Sequence, residues 1–369
     1  MTRSTLEGLE TPAGILDIER VKTNAASAVA YCQDHGLEWR PHVKTHKSLR
    51  VAQIQLEAGA TGLTVATPHE AEVMATVCSN LLLAYPPVGA SKLARLARLP
   101  GHVNLRVGLD AVQVLEPLAK AAVSAGREFG VLVEFDAGLG RVGVQTEAEA
   151  VRLAEAAERL DGTRFDGLMF YPGHIRTEEE ARGPMIAELA ERVGRFVEAL
   201  GDAGLEPQVV SGGSTPTFWD SHKVTGLTEV RAGTWIYNDR DITGLGACKS
   251  TEVAYSVLAT VVSVAVPGHA VVDAGSKALS KEPLRAAGGG YGVLMDKPEV
   301  TLKSLSEEHG VLSLDGSDWR PEIGEQVRII PNHVCLSVNL QDRLWGIEDG
   351  DLTPVELEGR GRAPFRAQG

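Results

Sequence analysis

The sequence predicts an α/β fold, with a (β/α)8 barrel over residues 12–250 followed by a mostly antiparallel β domain over residues 251–369. Up to about residue 250, short apolar runs alternate with helix-like segments. After that point the helix signals fade, and Val, Thr, Gly and Pro become more frequent. The 369 residues also suit a barrel, typically about 250 residues long, with an additional module.

The barrel region contains about eight strand–helix units, the number that closes a parallel barrel. Several helix-like segments end in Gly, as helix C-termini often do. A doubly wound open sheet is the second possibility. In chain order, the strand-like runs are "GILDI", "EWRPHV", "GLTVA", "NLLLAY", "VNLRVGL", "VLVEFDAG", "FDGLMFY" and "PQVVSGG".

The C-terminal domain is predicted from β-rich runs separated by turn residues. These runs are "EVAYSVLATVVSVAV", "AVVDAG", "YGVLM", "EQVRIIP", "RLWGIEDG" and "DLTPVELEG". Residues 1–11 are assigned to the same domain. The longest apolar run, Val253–Val266, is too short to span a bilayer, so it is interpreted as buried strand.

Composition excludes several classes of protein. The formal net charge of −13 argues against nucleic acid as the main partner, because phosphate binding needs a basic face. The N-terminal residues have no apolar signal core. Cys32, Cys78, Cys248 and Cys335 form no CxxC pair, which favours a reduced, cytoplasmic environment without a disulfide framework.

The stretch "EWRPHVKTHKS" places Lys44 directly after a predicted strand, where a barrel carries its functional groups. Desolvation and nearby positive charge, from His42, His46 or Lys47, would lower the pKa of Lys44. An uncharged lysine could form a Schiff base with a carbonyl cofactor. A solvated basic loop explains the same residues and, on this stretch alone, is the preferred explanation.

Two glycine-containing turns are candidate anion sites. In "VVSGGSTPT" a strand runs into a Gly-Gly turn with hydroxyl and backbone N–H groups free to bind an anion. It is neither a Walker loop nor a GxGxxG motif, and an ordinary tight turn is an equally good explanation. In "RAGTWIYND" small residues precede an aromatic group that could complete a phosphate site, a signal that is weak on its own. The candidate cofactor-binding residues in these turns are Ser211, Gly212, Gly213, Gly233, Thr234 and Tyr237.

Two further strand ends carry side chains suited to an aromatic cofactor. In "DAGLGRVG", Arg141 could reach an anionic or phenolic oxygen. In "FYPGHI", Tyr171 and His174 could flank a ring. A surface arginine and a hydrogen-bonded turn histidine remain at least as good as explanations.

"PNHVCLSVN" contains a candidate metal site. His333 and Cys335 are two residues apart, so on a strand they would point the same way. Nitrogen and sulfur ligands suit a borderline metal such as zinc. Two ligands make an incomplete shell, and a buried cysteine beside a structural histidine is the alternative.

Together these stretches resemble the fold-type III pyridoxal-phosphate enzymes of the D-threonine aldolase and D-serine dehydratase family. "RPHVKTHKS" is similar to the family's cofactor-lysine motif, and "PNHVC" is similar to its metal motif. "SGGSTPT", "RAGTWIYND", "DAGSKALS" and "SEEHG" also resemble family stretches, in the same order along the chain. The resemblance implies an alanine racemase-like barrel, a C-terminal β domain and a homodimer.

The resemblance also implies a site and a reaction. Lys44 would carry pyridoxal 5'-phosphate, with His174 and His42 as further catalytic groups, and His333 and Cys335 would hold Mn, Mg or Zn. The implied substrate is a D-3-hydroxy amino acid. "DAGSKALS" favours D-threonine aldolase, whereas Cys335 is the dehydratase-like residue, so D-serine or D-3-hydroxyaspartate dehydratase is the alternative. A racemase, a non-catalytic pyridoxal-phosphate carrier and a metal-dependent hydrolase are more remote.

Overall fold

The computed structural model describes residues 6–364, apart from the side chain of Glu179. Its strands are β1 (Ala13–Asp17), β2 (Glu38–Trp39), β3 (Leu63–Val65), β4 (Asn80–Leu83), β5 (Asn104–Leu109), β6 (Phe129–Glu134), β7 (Thr163–Met169), β8 (Val209–Gly212), β9 (Glu229–Val230), β10 (Tyr255–Ser263), β11 (His269–Val272), β12 (Gly292–Leu294), β13 (Lys297–Leu305), β14 (Gly310–Ser313), β15 (Gln326–Pro331), β16 (Arg343–Glu348) and β17 (Asp351–Glu356). Its α-helices are α1 (Ile18–Asp34), α2 (Leu49–Ala58), α3 (Pro68–Met74), α4 (Ala90–Ala97), α5 (Val112–Ser124), α6 (Glu147–Arg159), α7 (Glu179–Asp202), α8 (Arg240–Gly244), α9 (Ser276–Leu279) and α10 (Val334–Leu340).

The described chain divides into two units by its contacts. The barrel unit contains Ala26–Gly233 and residues 358–364. The β unit contains residues 6–25 and Thr234–Leu357. No helix within residues 6–364 is long and apolar enough to cross a membrane.

The barrel unit is built on an eight-stranded parallel sheet. Its strand order is β2-β9-β8-β7-β6-β5-β4-β3. A parallel bridge between His42 and Thr64, supported by a hydrogen bond from the Thr64 N–H to the Pro41 carbonyl (2.9 Å), joins the two ends of this order. The predicted α/β barrel with an additional β domain is therefore confirmed.

The β unit contains a nine-stranded, mostly antiparallel sheet in the order β11-β14-β13-β12-β15-β10-β1-β16-β17. The "GILDI" run was expected in the barrel, but it forms β1, which pairs antiparallel with β10 and parallel with β16. At Gly14 a Cβ atom would lie 2.6 Å from Leu344 Cδ2, so glycine allows this close pairing. The predicted boundary at residue 12 differs from the observed one after Ala25 because β1 pairs in this sheet. The β unit resumes at Thr234 rather than at residue 251, and residues 358–364 lie with the barrel unit rather than with the predicted β domain.

A second difference concerns the "PNHVC" stretch, which was expected to be extended. His333 precedes α10 as its N-cap residue, and Cys335 lies in the first turn of that helix. The strand β15 ends at Pro331, two residues earlier. The two side chains therefore occupy a helix start rather than one face of a strand.

Inside the barrel unit, a buried ionic network joins the segments around β2, β8 and β9. Glu229 Oε2 pairs with Arg40 Nε at 2.8 Å, and Glu229 Oε1 accepts a hydrogen bond from Ser211 Oγ at 2.5 Å. The Ser211 hydroxyl in turn accepts from Arg231 Nη1 at 2.7 Å. All four residues are buried, so each charge depends on its partners for compensation.

We therefore predict that Glu229→Gln lowers the free energy of unfolding by about 3 kcal/mol, because it leaves buried arginines without their counter-charge. Urea unfolding monitored by fluorescence measures this change. Glu128→Gln is the control, because Glu128 pairs with Arg164 in an exposed position where solvent screens the interaction. Equal, small effects of the two substitutions would contradict the assigned role of the network.

Candidate active site

Lys44 lies in a short 3-10 turn, Val43–Thr45, that follows β2. We call residues 43–48 the Lys44 loop. The Lys44 side chain is exposed, and its Nζ atom lies 5.9 Å from the centroid of the Tyr171 ring. The His42 Nδ1 atom accepts a hydrogen bond from the Lys44 backbone N–H at 3.4 Å, which caps the turn. The structure thus brings together three predicted residues, Lys44, His42 and Tyr171.

The other basic residues in and next to the Lys44 loop do not act as free positive charges. Burial, and after it the charges of Lys44 and Arg231, hold the pKa of His42 well below its usual value. Burial lowers the pKa of His46 to about 3. The Lys47 ammonium is paired with Glu70 at 2.8 Å.

Arg141 and Tyr171 form one wall of a small cleft. The Arg141 guanidinium carbon lies 5.0 Å from the centroid of the Tyr171 ring, within range of a cation–π contact. The loop that carries Arg141 is shaped by Asp136, whose Oδ1 accepts hydrogen bonds from the N–H groups of Gly138 (3.1 Å) and Gly140 (3.0 Å). The cleft is lined by Glu134, Phe135, Asp136, Ala137, Leu139, Arg141, Val142 and Tyr171.

His174 packs against this same loop. A Cβ atom at Gly138 would lie 3.0 Å from both Cε1 and Nε2 of His174, so the imidazole rests directly on the glycine backbone. The Nδ1 atom of His174 is buried and has no hydrogen-bond partner within residues 6–364. An unsatisfied buried nitrogen is costly, so this atom is open to a hydrogen bond from water or from a bound molecule.

The predicted phosphate turns fall into two groups. Gly213 has a φ of +83°, and a Cβ atom there would lie 2.8 Å from Val230 Cγ1. A Cβ atom at Gly233 would lie 2.6 Å from the His42 carbonyl oxygen, and at Gly212 it would overlap the Phe170 ring. These glycines leave bare backbone at the ends of β8 and β9, as a phosphate cradle requires. By contrast, the Ser211 hydroxyl is committed to the buried network.

Two ionisable groups of this region were not identified from the sequence. Arg231 is buried and donates from Nη2 to the Phe170 carbonyl at 2.6 Å. Burial lowers its pKa to about 10. Burial also raises the pKa of Glu134 to about 7, against the opposing effect of Arg231 and Arg141. The only sequence signal was a charged residue inside or next to an apolar strand run.

The predicted metal pair lies in the β unit and has an orienting carboxylate. His333 Nδ1 is 3.1 Å from Asp239 Oδ2, which also accepts from the Val334 N–H at 3.0 Å. Burial lowers the pKa of His333, but Cys335 and Asp239 more than offset this and raise it to about 11. With Nδ1 held by Asp239, Nε2 is the nitrogen that could bind a metal ion, a common arrangement for histidine ligands.

The ligand set around this pair is incomplete. Within the described part of the chain, no three His, Cys, Asp or Glu side chains are arranged to hold a metal ion. Thr234, predicted to bind the cofactor, has its hydroxyl 3.7 Å from Cys335 Sγ. Tyr237, predicted likewise, is fully buried and stacks on Tyr255 with ring centroids 6.2 Å apart.

A parallel barrel with a lysine and an aromatic ring at its strand ends, glycine-lined turns nearby and a separate antiparallel domain defines the barrel class of pyridoxal-phosphate enzymes. The comparison with known families agrees. Residues 16–241 match the alanine racemase N-terminal domain, and residues 254–347 match a serine dehydratase domain. The chain belongs to this family of alanine racemase-like enzymes and is a pyridoxal-phosphate-dependent lyase.

Relatives of known activity cover almost the whole chain. A D-threonine aldolase from Arthrobacter sp. is 31% identical over 366 residues, covering 96% of this chain and 94% of the relative. A D-threo-3-hydroxyaspartate dehydratase from Delftia sp. (strain HT23) is 34% identical over 352 residues, covering 90% and 93%. The crystal structure of D-threonine aldolase from Filomicrobium marinum has a TM-score of 0.88 at 30% identity, covering 96% of both chains.

Two solved structures of a D-threo-3-hydroxyaspartate dehydratase bear on the metal pair. Both have a TM-score of 0.87 and 32% identity to this chain; they cover 95% of it, and 96% and 98% of their own chains. One is a histidine-to-alanine mutant. The other is a cysteine-to-alanine mutant, two residues further on, in a metal-free form. His333 and Cys335 have the same spacing.

The raised pKa of Glu134 predicts a pH dependence of stability in the cofactor-free protein. The folded state holds this proton more tightly than the unfolded state, so the contribution is complete below about pH 4.5 and is lost as pH rises through about 7. Glu134→Gln removes this loss. Relative to the unsubstituted protein, the variant should gain about 3 kcal/mol of unfolding free energy between pH 4.5 and pH 8.

Urea unfolding at the two pH values measures this difference. Glu128→Gln, at an exposed position, serves as the control. A pH-independent difference for Glu134→Gln would contradict the assigned protonation of Glu134.

Proposed function

We propose that this enzyme is a D-threonine aldolase, which cleaves a D-3-hydroxy amino acid to glycine and an aldehyde. The observation that carries this proposal is the buried His174 Nδ1 atom, which lacks a partner within residues 6–364. Retro-aldol cleavage begins when a base removes the proton of the 3-hydroxyl group. An imidazole nitrogen without a described protein partner, on a ring that packs against the loop carrying Arg141, suits that role.

The residues of the barrel unit fit the cofactor. The bare backbone at Gly212, Gly213 and Gly233 would hold the phosphate, and Lys44 would hold the aldehyde carbon. Tyr171, whose ring lies near the cationic groups of Lys44 and Arg141, would lie against the cofactor ring. Pyridoxal phosphate, when bound, supplies an electron sink for the bond broken at the α-carbon.

Each side chain has a separate task. Arg141 would hold its positive charge next to the phenolic oxygen of the cofactor. His42 stays neutral because of its lowered pKa, so it keeps the Lys44 turn capped without adding charge. Lys44 would exchange a proton at Nζ as the substrate amine enters. His174 would accept the hydroxyl proton at Nδ1.

The β-unit pair supports a requirement for a divalent metal. His333 Nε2 and Cys335 Sγ offer a nitrogen and a sulfur, and water and substrate oxygens would complete the shell. A bound metal supplies Lewis acidity toward the 3-hydroxyl group. The oligomeric state of the enzyme, expected to be a homodimer, is part of the same proposal.

A second candidate is D-3-hydroxyaspartate or D-serine dehydratase. Cys335 favours it, because the metal-free dehydratase mutant replaces a cysteine at the matching spacing. In this reaction Lys44 would take the α-proton at Nζ, and the 3-hydroxyl group would leave. The products are then an oxo acid and ammonia.

A product assay separates the candidates. Purified enzyme with pyridoxal phosphate and Mn²⁺ is given D-threonine, D-serine or D-3-hydroxyaspartate. We predict glycine and an aldehyde, with at least a 1,000-fold loss of kcat in Lys44→Ala, in keeping with removal of a covalent catalytic group. If the products are an oxo acid and ammonia, the enzyme is a dehydratase and not an aldolase. Full activity of Lys44→Ala would contradict both.

Asp239→Asn tests the metal pair. Asn keeps an oxygen to cap α8, as Asp239 Oδ1 does now for the Ile242 N–H at 2.9 Å, but it loses the charge that orients His333. We predict a roughly 10- to 100-fold weaker affinity for Mn²⁺ or Zn²⁺, as for other orienting carboxylates. Calorimetric titration measures it. Metal affinity equal to that of the unsubstituted protein in both Asp239→Asn and His333→Ala would exclude this site.

A further inference from the structure

The end of the described chain binds the backbone that follows Lys44. We call residues 358–363 the C-terminal clasp. The Gly359 N–H donates to the Lys47 carbonyl at 2.8 Å. The Glu358 carboxylate accepts from the Leu49 N–H at 3.0 Å through Oε2. The clasp therefore binds the backbone at the end of the Lys44 loop at two residues, Lys47 and Leu49.

The other end of the clasp is fixed by a buried arginine. Arg95 Nη1 donates to the carbonyl oxygens of Arg362 (2.9 Å) and Ala363 (3.1 Å). Its Nε atom is bound to Glu72 Oε1 on α3 at 2.6 Å. The clasp is thus anchored at both ends within the barrel unit.

Lys47 connects the clasp to the turn that carries Lys44. Its φ of +55° is left-handed, which is unfavourable for a residue with a side chain. Three contacts hold it there: its N–H donates to the Val43 carbonyl at 2.8 Å, its Nζ pairs with Glu70, and its carbonyl binds Gly359. Removing one of the three releases a backbone that does not favour this conformation.

Gly359 lies at the point where the clasp comes closest to Lys47. It is buried, and a Cβ atom there would lie 3.2 Å from the Lys47 carbonyl oxygen and 3.6 Å from Glu70 Cγ. A larger side chain would therefore push the clasp away from the Lys44 loop.

We propose that the C-terminal clasp is a positioning element for Lys44, which it acts on through the backbone of Lys47. In this role the clasp sets the conformation of the loop from which Lys44 reaches the cofactor. This inference rests on the proposed function of Lys44 as the cofactor-bearing lysine.

Two deletions test the clasp in the otherwise complete chain. One removes residues 358–369, and the matched control removes only residues 365–369. Absorbance titration with pyridoxal phosphate gives the cofactor dissociation constant, and a pH titration of the complex gives the midpoint of its absorbance change. We expect the longer deletion to weaken binding roughly 10-fold, for the loss of two backbone hydrogen bonds, and the control to match the full chain.

The midpoint of the pH titration distinguishes a clasp that positions Lys44 from one that only stabilises the fold. In the longer deletion it should move toward the value for pyridoxal phosphate bound to a free lysine derivative. A clasp that only stabilises the fold would lower the melting temperature without moving that midpoint. Unchanged dissociation constant and midpoint in a folded deletion would overturn the proposal.

Point variants keep the test decisive if the deletion does not fold. Gly359→Val should reproduce its effects. Glu358→Ala should weaken cofactor binding in the same direction, and Glu358→Gln, which keeps the acceptor for Leu49, should restore it. If Lys44→Ala gives the same cofactor spectrum as the full chain, the proposed function fails, whatever the clasp variants show. If Lys44→Ala abolishes the cofactor spectrum but Gly359→Val has no effect, the proposed role of the clasp fails and the proposed function stands.

Discussion

The barrel unit depends on the compensation of charge among Arg40, Glu229, Ser211 and Arg231. All four are buried, and a buried ion that loses its partner destabilises a protein strongly. Arg40 immediately follows β2, Ser211 lies in β8, and Glu229 lies in β9. The network therefore sets the relative position of three strands. Their carboxyl ends lead into the Lys44 loop and the two glycine turns, so the geometry of the cofactor site follows from this constraint.

The basic residues of "RPHVKTHKS" have different roles in the structure. His42 caps the turn and His46 is buried beneath it, and burial keeps both imidazoles neutral. Lys47 is neutralised by Glu70, and its backbone carbonyl accepts a hydrogen bond from Gly359 in the clasp. Lys44 is the exposed member of the group, beside Tyr171. Three of these four residues shape the loop, and one is presented to a ligand.

The sequence was sufficient for the fold class, because strand–helix alternation and its loss near residue 250 are local patterns. It could not assign β1 to its sheet, since a short apolar run does not specify its partner strands. It also placed His333 and Cys335 on a strand, because two-residue spacing suits a strand and cannot reveal the helix that begins at Val334.

The site was only partly predictable. Lys44, Tyr171, His42 and the glycine turns follow strand ends, which the topology brings together. Arg231, Glu134 and Asp239 act through burial and through contacts with distant residues, and no local pattern marks them. Tyr237 is fully buried and stacks on Tyr255, so its predicted contact with the cofactor stays a prediction.

The most direct test of this account is to locate the lysine that bonds to the cofactor. The full-length enzyme is mixed with pyridoxal phosphate, reduced with borohydride and digested, and the modified peptide is identified by mass spectrometry. The account predicts one modified residue, Lys44. Modification of Lys47 or another lysine in place of Lys44, or no modification, would contradict it.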